Sequence, residues 1–184
     1  MGFKSNYWEG TVLSTETNTS GYALDLGSKG QGRLVIFSDG WKEAVLPEGT
    51  IVLNKWQHLA GVYDGSTLKF YVDGVLKATT AAGELSPSTA PLCIGESSAW
   101  SGREFTGGID EVCIWNKALT VAEIQKNKAT SPLGNENGLV ACYKFNEGID
   151  SPIIKDWTTN NHQGTFIDLD SHTSWMQGVS ISRK

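Results

Sequence analysis

The segment Thr67–Asp73 constrains this chain more than any other. Leu68, Phe70 and Val72 alternate there with Lys69, Tyr71 and Asp73. Successive side chains of a strand point to opposite faces, so this pattern specifies a half-buried β-strand. Asp73-Gly74 follows at once, and Val75-Leu76-Lys77-Ala78 returns. An Asp-Gly corner supplies the positive φ angles that a tight hairpin needs. Upstream, Trp56–Tyr63 reads as another strand, closed by Asp64-Gly65. Runs of the same character lie at 10–14, 22–26, 33–37 and 50–53, and again at 92–95, 108–115 and 139–145. The regular spacing predicts an all-β chain, an antiparallel two-sheet sandwich with short connections.

One stretch breaks the alternation. Thr120-Val121-Ala122-Glu123 is a capping box, whose hydroxyl and carboxylate satisfy the first free amides of a helix. The helix is expected to run to about Asn127 or Lys128, before Ser131-Pro132 stops it, with Leu119 and Ile124 placed as a hydrophobic staple.

Composition narrows the function. At 184 residues the chain has room for one β domain with its own core. A net charge of −5, with Lys and Arg scattered, argues against nucleic-acid binding, which needs a basic surface. No run reaches the roughly 18 apolar residues of a membrane helix, and no apolar signal segment follows Met1-Gly2-Phe3-Lys4. That start is what one expects where a longer natural N-terminus has been replaced. Cys93, Cys113 and Cys142 are far apart and in apolar settings. They read as small buried hydrophobes, with a Cys93–Cys113 bridge as the alternative; an odd count leaves at least one cysteine outside any intrachain pair.

Two long stretches carry a resemblance. The first runs from Trp56 through Asp64-Gly65 to Asp73-Gly74. The second is Leu92-Cys93-Ile94-Gly95 followed by Phe105–Leu119, containing Gly107-Gly108-Ile109-Asp110-Glu111-Val112-Cys113-Ile114-Trp115-Asn116. Together they resemble the laminin G-like domains of the concanavalin A-like lectin/glucanase superfamily, which are related to pentraxins. The similarity extends from about Trp8 to Lys128. Gly138–Gly148 and the Lys155-Asp156 and Asn160–Thr165 stretches resemble a further element of that family, found at the start of a domain and also trailing the helix. Nothing before Trp8 matches the family's first strands. Residues 1–137 are therefore expected to form the jelly-roll core. Residues 138–184 either complete that domain or begin a following repeat. A sheet lacking an outer strand exposes unpaired backbone groups, so its edge is expected to be covered by the C-terminal segment or by a neighbouring domain or chain.

The resemblance implies a place outside the cell or on its surface, and binding rather than catalysis. The glycoside hydrolases of this fold carry paired carboxylates, on one branch as E-x-D-x-x-E, and no such spacing occurs. Asp110 and Glu111 are adjacent, which in a strand sends them to opposite faces. His58, His162 and His172 lie in no triad pattern. The family's rim calcium maps to Asp110, with Glu147 and Asp156 as further donors; the alternative is that Asp110 caps the turn at Gly107-Gly108. Sugar binding calls for exposed aromatic faces beside polar groups. Trp41 and Trp100, flanked by turn residues, are the candidate ligand-binding residues, whereas Trp56 and Trp115 are expected in the core. Three readings stand: a noncatalytic recognition module for carbohydrate or protein ligands, a structural adhesin or assembly domain, and a fragment of a glycoside hydrolase.

Overall fold

The computed structural model describes residues 10–148 and 151–167. Trp8 and His172 lie outside the described residues. The chain divides into two compact units, Met1–Gly107 and Gly108–Lys184.

The first unit is a sandwich of two antiparallel sheets. One sheet contains β1 (Gly10–Ser14), β2 (Tyr22–Leu26), β3 (Gly32–Phe37), β4 (Trp41–Leu46) and β8 (Cys93–Ile94), in the order β4-β3-β2-β1-β8. The other contains β5 (Leu59–Tyr63), β6 (Thr67–Val72) and β7 (Val75–Ala81), in sequence order. Alternation decides which faces meet. Leu24, Leu34, Ile36, Ala44 and Leu46 from the larger sheet pack with Leu68, Phe70 and Val72 from the smaller. Leu68 and Phe70 are fully buried, so the strand that alternates best in sequence supplies the centre of the core. The β6–β7 corner is the expected Asp73-Gly74 turn, with φ of 53° and 77°, both left-handed. Asp73 also anchors the approach to β5: its Oδ1 accepts from the His58 amide and its own amide donates to the His58 carbonyl.

Two expectations need correction here. The run 50–53 is a turn rather than a strand, because Pro47 and Gly49 bend the chain and Asn54 has a φ of 57°. Of that run only Ile51 enters the core, while Val52 and Leu53 are exposed. Trp41, expected beside turn residues, opens β4. Asp39-Gly40 is a tight hairpin turn, and Ala44 and Leu46 behind it give β4 a buried face. Trp56 is not in the core; it is 37% exposed, because β5 begins only at Leu59 and the residues before it follow the surface.

The second unit pairs β9 (Val112–Trp115) antiparallel with β10 (Leu139–Tyr143), and β11 (Ile153–Ile154) with β12 (Gly164–Thr165). Between β9 and β10 runs α1 (Val121–Ala129). Its N-cap is the predicted box: Thr120 Oγ1 accepts from the Glu123 amide while Glu123 Oε2 accepts from the Thr120 amide. Ile124 is its buried residue. β9 starts four residues later than the sequence suggests, because Glu111 adopts a φ of 53° that interrupts extended backbone. The Cys93–Cys113 alternative also gives way, since Cys113 lies opposite Cys142 across β9–β10 and Cys93 lies opposite Ser14 across β8–β1.

Candidate functional site

An open cleft of about 680 Å³ lies at one end of the first unit. Its walls are the β3–β4 turn and the chain leaving β7. Phe37 and Trp41 form the last cross-strand pair before the turn, and their rings meet edge to face at 5.2 Å. The Ser38 amide donates to the Gly40 carbonyl to close the turn. On the other wall, Gly83 is fixed by a 2.6 Å bond from the Tyr63 hydroxyl to its carbonyl. The Ser86 amide donates to the Phe37 carbonyl, and the Gly21 amide to the Ser86 carbonyl. Backbone bonds thus fasten both walls before any ligand arrives, which is the preorganisation a binding cleft needs.

The lining combines two kinds of surface. Phe37, Leu85 and Pro87 offer apolar faces, and Asp39, Lys42 and Glu84 bring charge. None of those three charged groups forms an ion pair among the described residues. Two carboxylates and one ammonium therefore face the cleft able to accept and donate hydrogen bonds. Its volume falls within the roughly 300–1,000 Å³ of small-ligand sites. Trp41 belongs to this neighbourhood through its contact with Phe37 and as the chain neighbour of Lys42.

Trp100 stands elsewhere, in the loop after β8, and is 42% exposed. Ser97 Oγ accepts from the Trp100 amide, and the Arg103 guanidinium sits 5.6 Å over the indole ring.

Two of the acidic residues suggested for calcium, Asp110 and Asp156, hold backbone amides in the second unit. Asp110 Oδ1 accepts from the Glu111 amide at 2.9 Å, and Glu111 Oε2 accepts from Ser131 Oγ at 2.6 Å. Asp156 is an organiser of the second unit: its Oδ1 accepts from the amides of Cys142 and Thr158, its Oδ2 from the Thr158 hydroxyl and the His162 amide. Burial pushes its carboxyl up, but these donors outweigh burial and hold it below the usual range. Among the described residues no group of three or more His, Cys, Asp or Glu could hold a metal ion.

A buried polar row escaped the sequence reading. Asp25 is 0% exposed; its Oδ1 accepts from Thr11 Oγ1 and its Oδ2 from Arg33 Nε, both at 2.7 Å. Arg33 Nη1 reaches Glu43 Oε1 at 2.6 Å. Nearby, burial first and the Asp25 charge second push the Glu16 carboxyl above its ordinary range, with Arg33 and Arg103 opposing. The signal was a charge in the same alternation phase on β2, β3 and β4, visible only once Asp25 is known to pair with Arg33 in register.

With sandwich, capped helix and cleft in place, comparison with known proteins is informative. The sequence profile of the concanavalin A-like lectin/glucanases superfamily matches residues 3–125, which covers the sandwich and reaches into α1. The chain belongs to that superfamily. Mouse Pappalysin-1 is 35% identical over 85 residues, which span 43% of this chain and 5% of that protein. The fold matches the crystal structure of a provisionally assigned carbohydrate binding protein from Bacteroides ovatus, with a TM-score of 0.68 and 23% identity over 87% of this chain and 48% of that one. An S-layer domain-containing protein of Clostridium thermocellum aligns at a TM-score of 0.37 and 19% identity over 70% of each chain.

Proposed function

We propose that the chain is a noncatalytic recognition module, acting outside the cell or at its surface, that holds a hydroxyl-rich glycan in the cleft at Phe37–Lys42 and Gly83–Pro87. The observation that carries this reading is the lining itself. Asp39 and Glu84 can accept from sugar hydroxyls, Lys42 can donate to ring or hydroxyl oxygens, and the apolar faces suit the C–H face of a pyranose. Two carboxylates against one ammonium disfavour a polyanionic ligand and leave neutral sugars as the best match. Superfamily membership supports the reading, as does the assignment given to the Bacteroides ovatus protein.

A glycan array probed with the parent chain, with calcium and with chelator, tests it. Retention of a neutral glycan is expected, weakened at least tenfold in Lys42→Ala and in Glu84→Ala. No retained glycan under either condition overturns the reading. Binding that survives both substitutions but fails in Trp100→Ala moves the site to the loop after β8, and dependence on calcium that Asp110→Ala abolishes assigns Asp110 as a donor.

A second reading, assembly through a sheet edge, draws on one observation. β7 is the outer strand of its sheet, and Val75 and Leu76 on it are exposed. A chain that is monomeric by light scattering at high concentration, with Leu76→Lys unchanged, eliminates it.

A further inference from the structure

Cys113 and Cys142 occupy a cross-strand position with a specific backbone geometry. They are direct partners in the β9–β10 ladder. Cys142 spends both its backbone groups on the side away from Cys113: its amide donates to Asp156 Oδ1 and its carbonyl accepts from the Trp157 amide. The two cysteines are therefore a non-hydrogen-bonded pair, the kind in which antiparallel Cα atoms come within about 4.5 Å and side chains are closest. That spacing lies inside the roughly 4.4–6.8 Å range a disulfide bridges. The sulfurs stand 2.6 Å apart, nearer than even two carbon atoms pack at optimal contact, about 3.5–4.0 Å. Cys93, opposite Ser14, is in a different ladder.

We infer that Cys113 and Cys142 form a disulfide that fastens β10, and with it the segment from Gly138 onward, to the strand of the Ile109–Trp115 motif. The oxidant is a small-molecule or protein disulfide. A thiolate of the pair attacks one sulfur of that donor and expels a thiol. The second cysteine then attacks the mixed disulfide and expels the other. The cysteines lose two electrons and two protons; the donor gains both and leaves as two thiols. In the closed hairpin Cys142 is buried and Cys113 half-buried, so neither sulfur readily meets an outside oxidant. Contact with Cys142, and then burial, hold the Cys113 thiol far above its ordinary range, so a folded, reduced chain reacts slowly. Oxidation therefore belongs to the time before the hairpin closes, in an oxidising compartment.

The experiment refolds the full chain in a glutathione redox buffer, blocks free thiols with an alkylating agent without reductant, and maps the peptides by mass spectrometry. The expected product is two hydrogens lighter than the reduced chain carrying one alkyl group, with Cys93 alone alkylated and the Cys113 and Cys142 peptides linked. Alkylation of all three cysteines, or a linked peptide containing Cys93, overturns the inference. Cys93→Ser should give the same link. Cys142→Ser should leave Cys113 alkylated; if Cys113 is instead found joined to Cys93 in the parent, the assignment fails even if that variant does not fold.

Discussion

Asp25→Ala is the perturbation whose cost the structure determines most directly. The carboxylate is wholly buried and holds both Thr11 and Arg33. Truncation leaves a guanidinium whose side chain is only 11% exposed, with Glu43 still on its far end. Breaking a buried pair from one side costs about 3–5 kcal/mol, because the remaining charge stays desolvated. Asp25→Asn keeps an oxygen for Thr11 but loses the charge on Arg33, and should cost about 1.5–3 kcal/mol. Replacing both partners, as Asp25→Leu with Arg33→Met, removes the stranded charge and should recover most of the loss. Urea unfolding at neutral pH, followed by tryptophan fluorescence, measures these differences. With an m-value of about 2 kcal/mol/M, the Asp25→Ala midpoint falls by about 2 M. A single variant within about 0.5 kcal/mol of the parent, or a double variant no better than the worse single, refutes the reasoning.

Other outcomes follow from the same geometry. Glu16 has a folded-state pKa raised above the ordinary 4.5, so its contribution is complete below the unfolded value and lost as pH rises through the folded one. Glu16→Gln should raise the unfolding midpoint at pH 7, and the gain should vanish in acid below about pH 4. Asp156 has a folded-state pKa depressed below 3.8, so its contribution is present above 3.8 and lost as pH falls through the folded value; Asp156→Asn should flatten that acid limb and cost about 2–3 kcal/mol at pH 7. Reducing the Cys113–Cys142 link, whose sulfurs are separated by 29 positions, should lower stability by about 3–4 kcal/mol, read as a lower midpoint in reductant that Cys93→Ser does not show. In the glycan assay, Trp41→Ala should weaken binding less than Lys42→Ala, because Trp41 acts through Phe37.

What the sequence disclosed was what is local. β1 and β2 have the expected bounds, Asp73-Gly74 makes its turn, and Thr120 and Glu123 cap α1, because each depends on residues a few positions apart. What stayed hidden depends on register. Nothing within a few positions of Asp25, Arg33 or Glu43 singles them out until the ladder aligns them. Cys113 and Cys142 read as unrelated hydrophobes until β9 meets β10. The cleft joins residues near 40 to residues near 85, and no periodicity announces that. Trp56 was misplaced for a different reason: a motif names its residues but leaves open where its strand begins.

The pairing of β1 with β8 sets a clock. Ser14 meets Cys93 in that ladder, so among the described residues the strand that covers the outer edge of β1 is made only some eighty residues later. At the roughly 5–20 residues per second of synthesis, that is a wait of about 4–16 s. During it the β2–β3–β4 meander and the Asp73-Gly74 hairpin can close, since each needs only near neighbours. A newborn chain thus carries a sheet with an open flank for seconds. Whatever attends its emergence, a ribosome surface or a chaperone, has that flank to guard.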